Sequence, residues 1–397
     1  MEFLHNLKAS LTKFWSPIPA VIALGVLSTY YFGITGTYWA VTGEFTRWGG
    51  HFLQLFNIDV STWGYYKIMN IKGSIFTRVD GVMIIGMFAG CIAAAFWGNN
   101  VKFRLPINSI RIAQALIGGI IAGFGARLGM GCNLASFFTG IPQFSFHAWV
   151  FTAFMIVGVY FGVKVALHPL LQSKIKMQKV TSAKILEHNQ KKVKNFFIFG
   201  TLVFIAIIFW SLYLIFVVNS AKLGMAMFFG SLFGIIIAKA QVCFTSAFRD
   251  IFTTGRSELA KAIIIGMVVA TLGVFAFITL GQTAKIMWAG PNVVIGGFLF
   301  GFGIVLAGGC ECGWMYRAVE GQVHFWIVGV GNIIGSTLLA FVWDDISPAL
   351  ATSWPKINLL ESFGNYGGLI VNYSLLLLFF VLILALEKRY LKKSRNR

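Results

Sequence analysis

GGIIAGFGARLGMGCN, residues 118–133, returns later in the chain as GGFLFGFGIVLAGGCE, residues 296–311. The two copies share the opening glycine pair, the GFG, one leucine and the closing Gly-Cys. The likeness continues past the cysteine. Gln143, His147, Trp149 and Gly158 answer to Gln322, His324, Trp326 and Gly335, with small register shifts. A self-similar stretch of this length implies two related structural units.

The surrounding composition says what those units are made of. Of the 397 residues, 57% are hydrophobic and only 11% are charged, and the mean hydropathy is +0.79. Soluble domains carry roughly a quarter charged residues, so this chain lacks the polar surface to dissolve as a monomer. Apolar stretches fall at 18–33, 80–97, 112–128, 147–167, 196–218, 224–239, 260–280, 292–308, 324–342 and 366–386. Most approach the roughly 20 residues that a helix needs to cross a bilayer. Short alternating segments are missing, which argues against a β-barrel. The expected fold is an all-α polytopic membrane protein.

A net charge of +19 would suggest nucleic acid in a soluble protein. Here the positive charges gather in a few places: Lys8 and Lys13, the segment 99–111, the lysines of 168–195, Arg249, Arg256 and Lys261, and the tail after Lys388. With ten spans all of these fall on one side. The other side receives the acidic loop 343–365 and the mixed loop 34–78. That bias supports both termini on the cytoplasmic side of an inner or plasma membrane and explains the charge better than nucleic acid does. It also makes the two copies cross in opposite directions, the inverted-repeat plan of many transporters. The expected layout is a first helix and outer loop over 1–78, a first repeat half over 79–167, a basic linker over 168–195, a second half over 196–345, and a last helix and tail over 346–397. Loop 34–78, with Trp39, Trp48 and Trp63, is expected to lie as helices on the outer interface.

After each Gly-Cys comes a segment too short to cross, 133–140 and 311–321. A re-entrant helix turning back in mid-membrane would suit both, and such breaks are tolerated only around a cavity or path. QVCFTSAFRDIFTTG, residues 241–255, has the same design, and its counterpart would be 83–97, where Cys91 sits in a longer apolar run.

The candidate site residues follow. Cys132 and Cys310 hold equivalent repeat positions, where a thiol at a helix N-terminus could hydrogen-bond a soft oxyanion or form a persulfide. Cys243 and Cys312 come next, and Cys91 reads as packing. Charged groups inside spans are costly and usually functional. Arg127 could hold an anion, Lys239 could do so or snorkel, and Glu311 could pair with Arg317 or carry a proton. Asn133 occupies the position of Glu311 in the other copy. The cysteine spacing fits no zinc site, there is no phosphate-binding GxxxxGK[ST], and no paired histidines suit a haem, so no metal or cofactor is expected.

These motifs together resemble the YeeE/YedE family of bacterial sulfur-compound transporters, and most closely its YedE branch, linked to selenium metabolism. The resemblance rests on GGxxxGFGxxLxxGC at 118–132 and 296–310, QVCFTSAFRD at 241–250, GCECGWMYRAVEGQVHFW at 309–326 and the opening run 14–50. It implies an hourglass of antiparallel repeats whose short helices meet at a central constriction. It also implies thiosulfate passing along Cys132, Cys243 and Cys310 by transient S–H hydrogen bonds, and a cytoplasmic sulfurtransferase of the TusA type as partner. Glu311 and Cys312 depart from the pattern, which brings selenite in beside thiosulfate. The expected function is a permease for a small sulfur- or selenium-containing anion. The alternatives are a membrane thiol or persulfide transfer enzyme, or an accessory protein for a selenium-dependent enzyme.

Overall fold

A computed structural model describes residues 8–171 and 190–395. Among the described residues ten helices are long and apolar enough to cross a membrane, and there is no sheet, only three isolated bridges. In chain order the helices are α1 (Pro17–Thr35), α2 (Thr42–Gln54), α3 (Gly64–Met69), α4 (Val79–Trp97), α5 (Ser109–Leu128), α6 (Phe146–Ala166), α7 (Gln190–Phe216), α8 (Ala221–Lys239), α9 (Phe244–Thr253), α10 (Glu258–Thr279), α11 (Pro291–Ala307), α12 (Glu311–Val319), α13 (Val323–Ser347), α14 (Leu359–Phe363) and α15 (Asn365–Arg395). Proline opens α1 and α11, where a missing N–H costs nothing. Asn108 caps α5 by accepting from the Arg111 amide. The ten apolar runs of the sequence are all found as helices, α7 starting six residues before its run and α15 ending nine residues after its own.

Glycines pair these helices backbone to backbone. Gly86 and Gly90 of α4 lie against Met227 and Ser231 of α8, while Gly230 and Gly234 lie against Met83 and Met87. Gly119 and Gly123 of α5 meet Val328 and Asn332 of α13, and Gly335 meets Ile120. Gly297 and Gly301 of α11 meet Phe151 and Met155 of α6. Gly25 of α1 meets Gly266 of α10. Residue numbers rise together in these four pairs, so each runs parallel. The pair α5 and α11 runs the other way: Gly118 abuts Gly303 and Ala307, and Gly125 abuts Gly296 and Phe300. Helices in lipid gain nothing from hiding apolar surface from one another, so close van der Waals contact at small residues holds them.

The loops sort onto two faces. Lys102 and Arg104 bond to the backbone at 320–321, Gln241 to Glu320, the Trp15 amide to Lys239, and Tyr390 to Thr253. These loops form a basic face that carries both described chain ends. On the opposite face Ser145 pairs with Asn358, Trp288 with Lys356, and the Gly64 amide with Asp344. The segregation inferred from charge is therefore the segregation of the fold. Most of the linker 168–195 lies outside the described residues.

Two expectations need correction. Loop 34–78 does form helices, but much of it enters the protein instead of lying on its surface. Trp39 is fully buried and stacks on Phe233, with ring centroids 4.1 Å apart. The Glu44 carboxylate is also fully buried, and it is held by Arg78 and by Arg47 at 3.1 Å, Arg47 reaching Asp80 as well at 3.3 Å. Mutual neutralisation lets this cluster leave water. The second correction concerns the pairing of 241–255 with 83–97: the longer apolar run around Cys91 is the uninterrupted α4, so no short helix stands there. There the Cys91 thiol donates to the Gly234 carbonyl at 3.4 Å in the α4–α8 seam.

A Cβ at Gly301 would collide with the Met155 carbonyl. Gly301→Leu is expected to cost more than the about 1–3 kcal/mol of ordinary overpacking, because backbone must move. Leu272→Ala, on an exposed position, is expected to leave thermal unfolding in detergent nearly unchanged. Size-exclusion after stepwise heating separates the two.

Candidate functional site

The helix of each copy stops on a left-handed residue at the same repeat position. Gly308 ends α11 with φ +78°, and Met130 follows α5 with φ +60°. Glycine adopts this conformation freely, whereas methionine pays roughly 1–2 kcal/mol for it. Ala307 lies level with Gly118, nine residues along α5 from Ser109, so α11 ends about 13 Å inside the basic end of α5. From there α12 carries the chain on to the basic face, where its end meets Lys102. Together α11 and α12 complete one crossing, broken at 308–310, in place of the turn back in mid-membrane expected for 311–321. In the first copy residues 129–145 are buried without exception and contain one π-helical turn, Leu134–Phe138.

Cysteines sit at the breaks. Cys310 is the N-cap of α12 and Cys243 is the N-cap of α9, and neither side chain caps its helix. Their sulfurs lie 3.8 Å apart. Two helix N-termini, with their unpaired amides and positive dipole ends, therefore meet at one thiol pair. Gly313 leaves the room for it, since a Cβ there would come within 2.8 Å of the Cys243 sulfur. In the first copy the Leu134 amide donates to the Cys132 sulfur at 3.4 Å. The hydroxyl of Thr42, the first residue of α2, faces the same thiol, and Cys312 and Glu311 lie within its electrostatic reach.

Several buried polar atoms here lack partners. Both ends of the Asn133 amide are unbonded, although the residue is wholly buried. Glu311 accepts from Asn332 Nδ2 at 3.0 Å through Oε1, while Oε2 has no partner. The Thr245 hydroxyl is unbonded as well. Such groups cost about 1–3 kcal/mol each when left unbonded.

An arginine stands on either side. Arg127, 8% exposed, reaches Thr42 Oγ1 at 3.3 Å and Met69 Sδ at 3.0 Å, lies over the Tyr65 ring, and keeps Nε unbonded. Arg317 donates to the Gly308 carbonyl at 3.1 Å and lies over the Tyr316 and Phe325 rings. Among the described residues neither forms an ion pair. Arg317 is thus turned from Glu311, and the Glu311–Arg317 pair considered from sequence does not form. Lys239 is not brought to this cluster: its Nζ donates to the Leu11 carbonyl at 2.6 Å, close to the Phe14 ring. Thr42 and Asn332 were not singled out from the sequence. Thr42 had a signal, since it follows a valine after α1 as Cys243 follows one after α8. Asn332 had none beyond being an amide in an apolar span.

The profile of a family described as sulphur transport matches residues 3–161 and 239–397. The chain belongs to this family of membrane transport proteins, at its YedE/TsuA branch, and its class is that of sulfur-compound transporters. It is 61% identical over 393 residues to the probable transporter YedE of Escherichia coli K12, covering 99% of this chain and 97% of that one. It is 59% identical to the YedE of Salmonella typhimurium LT2 over 394 residues, 99% of this chain and 98% of the relative. The thiosulfate transporter TsuA of Escherichia coli K12 shares 40% identity over 102 residues, 25% of this chain and 28% of its own. The family match is to transporters and not to enzymes.

The sulfur geometry is directly testable. Diamide, which accepts the two protons and two electrons released, is expected to join Cys243 to Cys310 in the membrane-embedded protein and to leave Cys91 free. Peptide mass spectrometry reads the link. A Cys91-containing link with none between Cys243 and Cys310 would show that the helix breaks do not meet.

Proposed function

We propose that the chain is an inner-membrane permease that passes a small sulfur- or selenium-containing anion, thiosulfate- or selenite-like, through a constriction built by Cys132, Asn133, Cys243, Cys310, Glu311 and Cys312. The observation that carries this reading is the thiol pair of Cys243 and Cys310 at two converging helix N-termini, with Cys132 of the first copy in electrostatic reach of Glu311 and Cys312. Helix N-termini favour anions. Thiols donate weakly, so they would hold a soft anion without trapping it. Arg127 would draw the anion in from the opposite face, and Arg317 would draw it on toward the basic face. Lys239, committed to the N-terminal segment, has no part in the path.

The packing supports an inverted repeat. Shifting by the repeat interval turns the Gly118–Gly303 contact into the Gly296–Gly125 contact, both of which occur. The same operation exchanges the α5–α13 pair with α11–α6. Taking the five spans of each half in chain order, which allows for the longer loop between α1 and α4, also exchanges the α1–α10 pair with α8–α4. On this reading each half comprises five spans, wider than the units 79–167 and 196–345 read from the sequence. The counterpart of Cys243 becomes Thr42, a hydroxyl in place of a thiol. The basic face is cytoplasmic by its charge, and a TusA-like sulfurtransferase there is the acceptor that the family resemblance suggests.

The test is uptake of thiosulfate and of selenite by proteoliposomes. Cys310→Ala and Cys132→Ala are each expected to slow saturable uptake about tenfold, the equivalent of one hydrogen bond to a charged solute. The anion that competes better names the substrate class. Unaltered flux in both variants would remove the thiols from the path. Persistent sulfur or selenium on a cysteine, seen by mass spectrometry without net flux, would favour the transfer-enzyme alternative.

A further inference from the structure

We infer that Glu311 is a proton-binding site in the middle of the membrane and that a proton travels with each anion. The coupling half of this inference rests on the permease reading, whereas the proton site itself does not. Glu311 opens α12 at the helix break and is 1% exposed. One carboxyl oxygen takes the Asn332 amide at 3.0 Å and the other has no partner.

No fixed cation balances it among the described residues. Arg317, on its own helix, is spent on the Gly308 carbonyl and two aromatic rings. Lys239 at the end of α8 is spent on the Leu11 carbonyl. The helix α4 presents Cys91, already bonded to Gly234. The start of α9 presents Cys243, the turn after α5 presents Cys132, and the flanking residues are Cys310 and Cys312. From α13 comes the neutral Asn332.

The amides at the start of α12 supply about half a unit charge, short of what an ion in the membrane interior requires. The carboxyl therefore carries its proton at rest, with an O–H free to donate. A carboxylate in reach of Cys132 would repel an entering anion, and the neutral acid would not. Proton and anion thus favour each other's binding, and the coupling is reciprocal by linkage. The proton is taken up from the opposite face, held on the carboxyl while the anion occupies the constriction, and released at the basic face when the anion leaves. No electrons move, and a divalent anion crosses with one net charge instead of two.

The experiment counts protons per anion. Proteoliposomes containing the full chain and a trapped pH indicator are given an inward thiosulfate gradient. Wild type is expected to acidify the lumen with one proton per anion. Glu311→Gln is expected to bring that ratio to background at whatever uptake remains, and Glu311→Asp to restore it. Wild-type uptake without acidification, or Glu311→Gln with an unchanged ratio, overturns the coupling while leaving the permease reading intact. No wild-type uptake at all overturns the permease reading instead. Infrared difference spectra then decide the site: a protonated-carboxyl band in wild type at neutral pH, lost in Glu311→Gln, sustains it. Absence of that band in wild type overturns it.

Discussion

Contact between glycine and the backbone of a neighbouring helix is the constraint on which the rest of this molecule depends. Lipid offers no hydrophobic reward for joining helices, so their positions follow from where backbones can touch. Gly118 against Gly303 and Gly125 against Gly296 fix the depth at which α5 and α11 overlap. That depth leaves the end of α11 well inside the protein. The broken ends, and the cysteines that occupy them, inherit their place from the glycines.

The chemistry of the centre is not symmetric, although the helices around it pair symmetrically. Where the second half has Cys243, the first half offers Thr42, and where the second has Glu311, the first has Asn133. On the proposed path one side thus gathers three thiols and an acid, while the other has one thiol, a hydroxyl and an amide with no partner at either end. A solute crossing such a centre would exchange one set of donors for another at nearly one depth. The buried ion cluster of Glu44 with Arg47 and Arg78 seats the start of α2, and so Thr42, against Cys132.

Much of the fold was legible in the sequence because the bilayer makes it so. Long apolar runs must be helices, and the clustering of lysine and arginine sorts the loops. The repeat of Gly-Cys showed Cys132 and Cys310 as a pair, and Cys243 stood out in its short segment. What the sequence hid was of a different kind. Trp39 looks like an interfacial anchor until the cluster around Glu44 makes burial of its segment affordable. The region around Cys91 looks like a counterpart of the Cys243 segment, yet its glycine seam with α8 holds α4 as one long helix. Lys239 sits in an apolar run as a substrate ligand would, yet its ammonium serves a carbonyl 228 positions away in the chain. Asn332 carries no local signal, since its meaning comes entirely from Glu311 across a helix crossing.

The claim at the centre of this account is that the solute passes between Cys132 and the Cys243–Cys310 pair. It is tested most directly by the rate at which a small charged methanethiosulfonate reagent modifies these thiols, with and without thiosulfate or selenite. If the account holds, modification stops flux, and saturating substrate slows modification of Cys132 and Cys310 while Cys91 is unaffected. Modification of those two thiols at the same rate with substrate present, in protein that still transports, would contradict it.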